Sequence, residues 1–296
     1  MASVQDLKRR VRSVKNTRKI TKAMELVASA RLRRAQARIE AMRPYAETMR
    51  ELIAGVGRSS SSVRGLPLLQ QRDEVKNVAI LPLTGDRGLA GPFNAQILRR
   101  AFALERELRA DGADVRFVAV GKKGRSTLAF RRYEVAGEFV GFTDRPGYVD
   151  AQAIAHRVAE LFTEGEVDRV ILLYNAYVSP LVQRVTEQDV LPVSADILET
   201  DDEQRRDDAM RGDFIFEPEP EEILERLLPV YVETQVYRAL LESAASEQGA
   251  RMTAMRNASK NAGELIDTLT LQMNRARQAE ITQEILEVVG GAEALS

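Results

Sequence analysis

The stretch "NAGELIDTLTLQMNRA" (261–276) decides the fold, because its apolar residues recur at steps of four, three, four and three. The residues in this seam are Ala262, Ile266, Leu269, Met273 and Ala276. Such spacing is typical of a helix that buries one narrow seam against a partner helix. The helical pattern extends from about residue 219 to about residue 289, and a proline near its start, Pro229, is expected to kink or restart the helix.

The beginning of the chain carries a similar pattern over roughly residues 3–57. Its apolar positions, with one slip before the fifth, are Val4, Leu7, Val11, Val14, Ile20, Met24 and Val27. A helix of this length would extend for about 80 Å and needs a partner along its seam. We therefore predict that helices at 1–57 and 219–296 pair as a long antiparallel two-helix coiled coil, and the irregular seam predicts an uneven pitch.

Between the two termini, apolar strand patterns alternate with helical patterns. This alternation over residues 75–218 predicts a Rossmann-like α/β domain with a mostly parallel sheet of about five strands. The last two strands are joined too closely for a helical crossover, so that pair should be antiparallel. Asp150 is expected to be the N-cap of the helix that lies before these two strands. A Ser-rich linker is expected at 58–74 and a charged loop at 199–212.

Composition narrows the classes of function. The 296 residues include no cysteine and one histidine, His156, which excludes disulfides, thiolate chemistry and histidine metal clusters. No apolar run is long enough to span a bilayer, and the start lacks the apolar stretch of a signal peptide. We therefore expect a cytoplasmic protein or one on the cytoplasmic face of a membrane.

Charge is distributed unevenly along the chain, although the formal net charge is only −1. Residues 1–50 carry fourteen basic and four acidic side chains, a net charge of +10. Residues 199–247 carry five basic and fifteen acidic side chains, a net charge of −10. This asymmetry suggests charged partners or an intramolecular meeting of the two segments.

Two other functions must be weighed against a mechanical role for the long helices: nucleotide binding by an enzyme and nucleic-acid binding. The Gly-rich turn at Thr84–Asn94 follows a strand and opens a helix, as phosphate-binding turns do, but it matches no nucleotide-binding motif. The basic N-terminal helix could contact nucleic acid, but its charges fall on several faces and no aromatic residues accompany them. We interpret His156 as a surface or satisfied histidine. The acidic run at 217–222 is interpreted as the start of a helix. We predict no catalytic residue, no metal site and no cofactor.

The end of the chain combines two features that conflict in an isolated helix. A polar run from Arg275 to Thr282 interrupts an apolar pattern that continues at Ile285, Val288 and Val289. A buried helix would exclude the polar run, and a solvated helix would not need the apolar residues.

Four long motifs resemble the gamma subunits of F-type ATP synthases. They are "SVKNTRKITKAMELVASARLRRAQ" (13–36), "RPYAETMR" (43–50), "GDRGLAGPFN" (85–94) and "YVETQVYRALLESAASEQGARMTAMRNASKNAGELI" (231–266), followed by "NRARQAEITQEILEVVGGAEAL" (274–295). The resemblance covers essentially the whole chain and implies a bacterial-type gamma subunit. It implies a non-catalytic rotor shaft, present once in each complex, that couples proton flow to ATP synthesis or hydrolysis by rotation.

The resemblance also implies partners and contact residues. The partners are a ring of alpha and beta subunits, an epsilon subunit and a membrane c-ring, with no nucleic acid and no small-molecule ligand. In the family, the apolar helix end, here Ile281, Ile285 and Val288, is held in an apolar sleeve. Three implied contact residues, Arg277, Gln278 and Thr282, would bond a loop of a beta subunit, and Arg251 would close the same polar network. Met24, with Lys19 and Lys22, would face an acidic segment of beta, and Glu284 is a further partner-binding residue.

Overall fold

The computed structural model describes residues 3–58, 65–72, 74–198 and 218–293, with side chains up to residue 290. The expected loop at 199–212, and residues 59–64 and 73 of the expected linker, lie outside this described part. The helices are α1 (Val4–Arg58), α2 (Phe93–Ala110), α3 (Lys122–Phe130), α4 (Tyr148–Thr163) and α5 (Pro220–Glu293). The strands are β1 (Asn77–Pro82), β2 (Asp114–Val120), β3 (Val135–Phe139), β4 (Arg169–Tyr177) and β5 (Gln183–Leu191).

The five strands form one sheet in the order β3-β2-β1-β4-β5. Strands β1 to β4 are mutually parallel, and β5 runs antiparallel to β4. The predicted α/β class, strand number and antiparallel last pair are therefore confirmed. Because β1 is flanked by β2 on one side and β4 on the other, the strand order reverses at β1, which is where doubly wound folds usually bind ligands.

Both faces of the sheet are buried, as parallel sheets require. One face packs on α2 and α3 through residues such as Ile80, Phe117 and Leu173. The other face packs on α4, on the last turns of α1 and on the first turns of α5. The sheet and these helix segments belong to one compact unit, residues 30–250, and residues 1–29 with 251–296 form a second.

The second unit is the antiparallel pair of terminal helices that the sequence predicts. Leu7 and Val11 of α1 form an apolar cluster with Ile266 and Leu269 of α5, and Val14, Met273 and Ala276 pack against it. Farther along α1, Glu25 contacts Arg256. Residues with higher numbers in α1 thus contact residues with lower numbers in α5, so the two helices run antiparallel.

The expected slip in the α1 seam is wrong. Ile20 and Val27 are 60% and 53% exposed, whereas Thr21, Glu25, Ala28 and Leu32 are buried. The steps of four and three therefore continue in the same register from Leu7 to Leu32, with exposed Arg18 at one step and buried polar residues at others that an apolar pattern search passes over. The apolar residues beside them lie on the outside of the helix pair.

Two details at helix starts also differ from the expectations. Helix α4 begins at Tyr148 with Gly147 as its N-cap, and Asp150 accepts the Gly147 N–H at 2.8 Å from the third helical position. Helix α5 is continuous from Pro220 through Pro229, so it does not restart there. Buried apolar neighbours, Leu228 and Val232, offset the hydrogen bond that a proline removes.

Candidate partner-binding surface

Helix α5 continues beyond the last seam residue as an exposed single helix. Ala276 is the last residue that packs against the apolar cluster of the helix pair, and residues 277–290 are all exposed. At 1.5 Å per residue, the segment from 277 to 293 is about 25 Å long. We call residues 277–293 the α5 end segment.

The apolar side chains of the α5 end segment form a stripe on one side of the helix. Ile281, Ile285, Val288 and Val289 follow helical spacing and are exposed, Val288 by 73%. Leu286 is exposed as well but lies outside this stripe. Exposed apolar surface of this kind marks a place where a partner binds.

The predicted polar contact residues lie on the same exposed segment. Arg277, Gln278, Thr282 and Glu284 are all exposed. The Thr282 hydroxyl donates to the Gln278 carbonyl within the helix at 2.8 Å, so its lone pairs face outward. The end segment therefore offers a cation, an amide, a hydroxyl and a carboxylate beside the apolar stripe.

The predicted contact region around Met24 lies on α1. Lys19 and Lys22 are exposed and Met24 is half-buried. Ile20 and Val27 lie one turn to either side of Met24 on the outside of the helix. Ile20 and Val27, which were expected in the buried seam, thus form with Met24 an outward apolar stripe beside two lysines.

The sequence analysis missed an ion pair between the two helices, in which the carboxylate is buried and the cations are exposed. Glu25 is buried, and its carboxylate contacts Arg256 at 3.1 Å and Lys22 at 3.0 Å. The hydrogen bond from Lys22 lowers the pKa of Glu25, burial opposes this, and the bond from Arg256 adds to the lowering. Spacing from Val14 reaches Glu25, but a carboxylate at such a position reveals neither its burial nor its partner Arg256.

Arg251 is the one predicted site residue that is buried. It lies 26 residues before Arg277 on the same helix, which corresponds to about 39 Å. The chain therefore does not bring Arg251 together with the polar residues of the end segment.

The Gly-rich turn at Thr84–Asn94 is filled by side chains of the chain itself. The Gly85 N–H donates to Asn94 at 2.7 Å, and the Asp86 N–H donates to Thr143 at 2.8 Å. A Cβ added at Gly85 would lie 2.9 Å from the carboxylate of Glu247, on α5. Phosphate binding needs free backbone N–H groups and no adjacent carboxylate, so this turn is not arranged as a nucleotide site.

Asp86 connects the loops at the carboxyl edge of the sheet. Its carboxylate accepts the N–H groups of Lys122, Gly141 and Thr143 at 2.9 to 3.1 Å, and the Thr143 hydroxyl at 3.0 Å. Burial raises the pKa of Asp86, but these hydrogen bonds outweigh it and the pKa is lowered overall. Asp86 is thus a structural hub of the Gly-rich turn.

Known proteins match the chain over its full length. A family model described as ATP synthase matches residues 3–295. The ATP synthase gamma chain of Rubrobacter xylanophilus is 48% identical over 296 residues, which is 100% of this chain and 99% of the relative. That of Desulfitobacterium hafniense is 46% identical over 295 residues, covering 100% of both chains.

Solved structures match as well. A chain of the Tetrahymena thermophila mitochondrial ATP synthase, central stalk and c-ring, has 28% identity and a TM-score of 0.60, covering 81% of this chain and 99% of that chain. A chain of the Euglena gracilis mitochondrial ATP synthase has a TM-score of 0.69 at 19% identity, over 99% of this chain and 94% of that one, and supports the fold alone.

The fold and the exposed helix end define a class of α/β proteins whose two termini pair as long helices and leave one helix end free for a partner. Within the described ranges, no helix combines the length and apolarity that a bilayer crossing needs. The chain belongs to the ATP synthase family, as one of its gamma chains.

Proposed function

We propose that this chain is the central rotor shaft of an F-type ATP synthase and that it has no catalytic activity of its own. One copy would stand inside a ring of three alpha and three beta subunits. Its α/β unit, with an epsilon subunit, would sit on the c-ring at the cytoplasmic face of the cell membrane. Rotation of the c-ring would then drive ATP synthesis, and ATP hydrolysis would drive the reverse rotation.

The observation that carries this proposal is the exposed α5 end segment. Residues 277–290 are all exposed in the part of the chain that the structure describes, although five large apolar side chains lie on them. An isolated helix of this length is only marginally stable in water. A surrounding apolar sleeve would both bury the stripe and stabilise the helix.

The rotor proposal assigns a role to each exposed contact residue. Ile281, Ile285 and Val288 would lie in the apolar sleeve of the ring. The polar residues of the end segment would bond a beta subunit; these are Arg277, Gln278, Thr282 and Glu284. The outward stripe at Met24, with Lys19 and Lys22, would face an acidic segment of beta, and Arg251 would act in coupling from its buried position.

Rotation requires contacts that differ around the shaft and that exchange readily. A single helix end and an α1 stripe on one side make the shaft asymmetric, so three equivalent partners meet different surfaces. The conformational equilibrium of each beta subunit would then be shifted by the particular surface of the shaft that it contacts. Such differential contact is what couples rotation to the beta subunits. Exposed charge pairs are worth under about 1 kcal/mol, so they form and break as the shaft turns.

Reconstitution tests the proposal directly. Sealed vesicles that contain the complete ATP synthase complex with this chain should hydrolyse ATP and acidify the vesicle lumen. The same vesicles without this chain should not couple hydrolysis to proton movement. ATP hydrolysis by the isolated chain, or proton pumping that does not depend on the chain, would refute the proposal.

A nucleic-acid function is the alternative from a different class. It predicts binding by the basic N-terminal helix with a steep dependence on salt. A gel-retardation experiment at about 0.15 M salt, where surface charges are screened beyond about 8 Å, should show no shift.

A further inference from the structure

Helix α4 presents three hydrogen-bond donors to one carboxylate of helix α5. Tyr148, Gln152 and His156 are spaced by four residues and therefore share one face of α4. The Tyr148 hydroxyl donates to Glu233 at 2.5 Å, and the His156 Nε2 lies 3.0 Å from the other carboxylate oxygen. The Gln152 amide lies 3.3 and 3.5 Å from the two oxygens.

The carboxylate that receives these donors is almost fully buried, since Glu233 is 4% exposed. Removing a carboxylate from water is costly unless donors replace the lost hydration. An ionised carboxylate only accepts hydrogen bonds, so His156 must carry a proton on Nε2 to bond it. Burial, together with the bond to Glu233, raises the pKa of Tyr148, which keeps its hydroxyl protonated as a donor.

The surroundings of Glu233 on α5 are apolar. Val232, Val236, Ala239 and Leu240 are buried in the core beneath the sheet. Apolar contact is non-directional, so burial of one face of α5 sets the rotation of the helix about its axis only coarsely. Hydrogen bonds weaken steeply when their geometry is disturbed, so the bonds to α4 fix this rotation more sharply.

A second polar contact lies on a different side of α5. Gln188, on β5, accepts from Arg238 at 3.0 Å and donates to Gln235 at 2.9 Å. All three of these side chains are less buried than Glu233, and the Gln188–Gln235 bond is between neutral groups. Arg238 also brings a charge to its bond, and farther along α5 the Ser246 hydroxyl donates to the Asn175 carbonyl at 2.8 Å. Of these attachments, the one at Glu233 gathers three donors on one buried carboxylate, which makes it the firmest.

We propose that Glu233 is a positioning residue for torque transfer, because its bonds to α4 hold helix α5 at one rotation against the sheet. The long helix and the sheet then turn together when force is applied to either. This inference rests on the proposed function as a rotor shaft. The apolar core sets this orientation less sharply than these directional bonds do.

The test uses the assembled complex in sealed vesicles and two variants, Glu233→Leu and Glu233→Gln. Leucine removes every acceptor, and glutamine keeps one acceptor oxygen without the charge. Loss of bonds to a charged acceptor corresponds to about a ten- to hundred-fold change in an equilibrium constant. The equilibrium concerned is between α5 held by α4 and α5 displaced from it. We expect hydrogen exchange in α4 to accelerate by a similar factor and the protons pumped per ATP hydrolysed to fall, more in Glu233→Leu than in Glu233→Gln.

Matched controls separate this role from a general loss of stability. Glu225→Gln removes an exposed carboxylate from the same helix and should leave exchange and pumping unchanged. His156→Gln keeps an N–H donor, so it should retain more coupling than His156→Leu. The histidine pair and Glu233→Gln still decide the question if Glu233→Leu does not assemble.

Two results would overturn the inference. One is a complex with Glu233→Gln or Glu233→Leu that exchanges faster in α4 yet pumps the normal number of protons per ATP. The other is no change in either measurement. A wild-type complex that pumps no protons would instead refute the proposed function, and the exchange measurement would still report whether Glu233 holds α4.

Discussion

Gly121, at the junction of β2 and α3, is a position where the backbone excludes every other residue. Its φ is +86°, and an added Cβ would lie 2.1 Å from the backbone carbonyl oxygen of Thr84. A positive φ costs an L-residue roughly 1–2 kcal/mol, and the overlap with a backbone atom adds to this cost. Gly121 thus combines a conformational requirement with a steric one.

The two requirements can be separated by comparing two glycines. Gly112 has a φ of +89°, but a Cβ there would meet no atom within 4 Å. We expect Gly112→Ala to lower the free energy of unfolding by about 1–2 kcal/mol and Gly121→Ala by more than about 3 kcal/mol. Denaturant unfolding measures both, and equal losses would show that strain alone matters at Gly121.

The lowered pKa of Asp86 predicts how stability depends on pH. A carboxylate whose pKa is lower in the folded state stabilises the protein above its ordinary pKa, 3.8, and that contribution is lost as the pH falls through the folded value. The difference in unfolding free energy between wild type and Asp86→Asn should therefore be constant above about pH 5 and shrink below about pH 4. Exposed Asp111, converted to Asn, is the matched control for removing a surface carboxylate.

At the scale of elements, the long helices bury polar side chains that an apolar seam would not contain. Gln248, on α5, is 1% exposed, and neither its amide nitrogen nor its carbonyl oxygen has a hydrogen-bond partner among the described residues. A buried polar group without a partner costs about 1–3 kcal/mol. The helix therefore gives up stability at this position.

Replacing Gln248 with methionine should recover part of that stability. The two side chains have similar length, so Gln248→Met should raise the free energy of unfolding by about 1 kcal/mol. Gln272→Met, at an exposed position on the same helix, should change it by less than about 0.5 kcal/mol. Urea unfolding of the two variants decides the question, and destabilisation by Gln248→Met would mean that the amide is satisfied in solution.

The α5 end segment should be stable only when a partner surrounds it. In the isolated chain, its amide hydrogens should exchange nearly as fast as in an unfolded peptide, because a helix of this length is marginal alone. When the chain is assembled at partner concentrations of about 100 times Kd, protection should rise about a hundred-fold. Seam residues such as Ile266 and Leu269 should be protected in both states, and an end segment that is equally protected without partners would contradict this view.

At the scale of the whole molecule, the position of Met24 predicts an effect on coupling. Met24→Lys adds a cation beside Lys19 and Lys22, and a contact with an acidic partner would gain roughly 1–4 kcal/mol depending on solvent exposure. That attraction would favour one rotational position, so ATP hydrolysis should continue while the protons pumped per ATP fall. Leu26→Lys, on another side of α1 and exposed, is the matched control. An unchanged ratio in Met24→Lys would remove Met24 from the contact.

Much of the architecture was predictable because it depends on local spacing. The seam of α5 from Ala262 to Ala276 and the alternating strands and helices follow from side-chain periodicity, which the chain carries in its own order. The α1 seam was predictable only in part. Its polar members, such as Thr21 and Glu25, are recognisable as buried only when the partner helix is present.

Some of the functional residues were likewise predictable from the sequence, whereas other contacts were found only in the structure. Family motifs identified the apolar and polar residues of the α5 end segment, and the structure places those up to residue 290 on exposed helix. The motifs did not reveal that Glu25 pairs with Arg256, that Glu247 stands against Gly85, or that three residues of α4 converge on Glu233. Each of these contacts joins residues that are far apart in the chain.

By itself, the sequence determined which segments are helix or strand, that the two termini pair, and to which family the chain belongs. Only the tertiary structure decided which polar side chains are buried and which apolar side chains are left on the surface. The physical reason is that periodicity is a property of neighbours along the chain, whereas burial and pairing of charge depend on what another element brings to the same place.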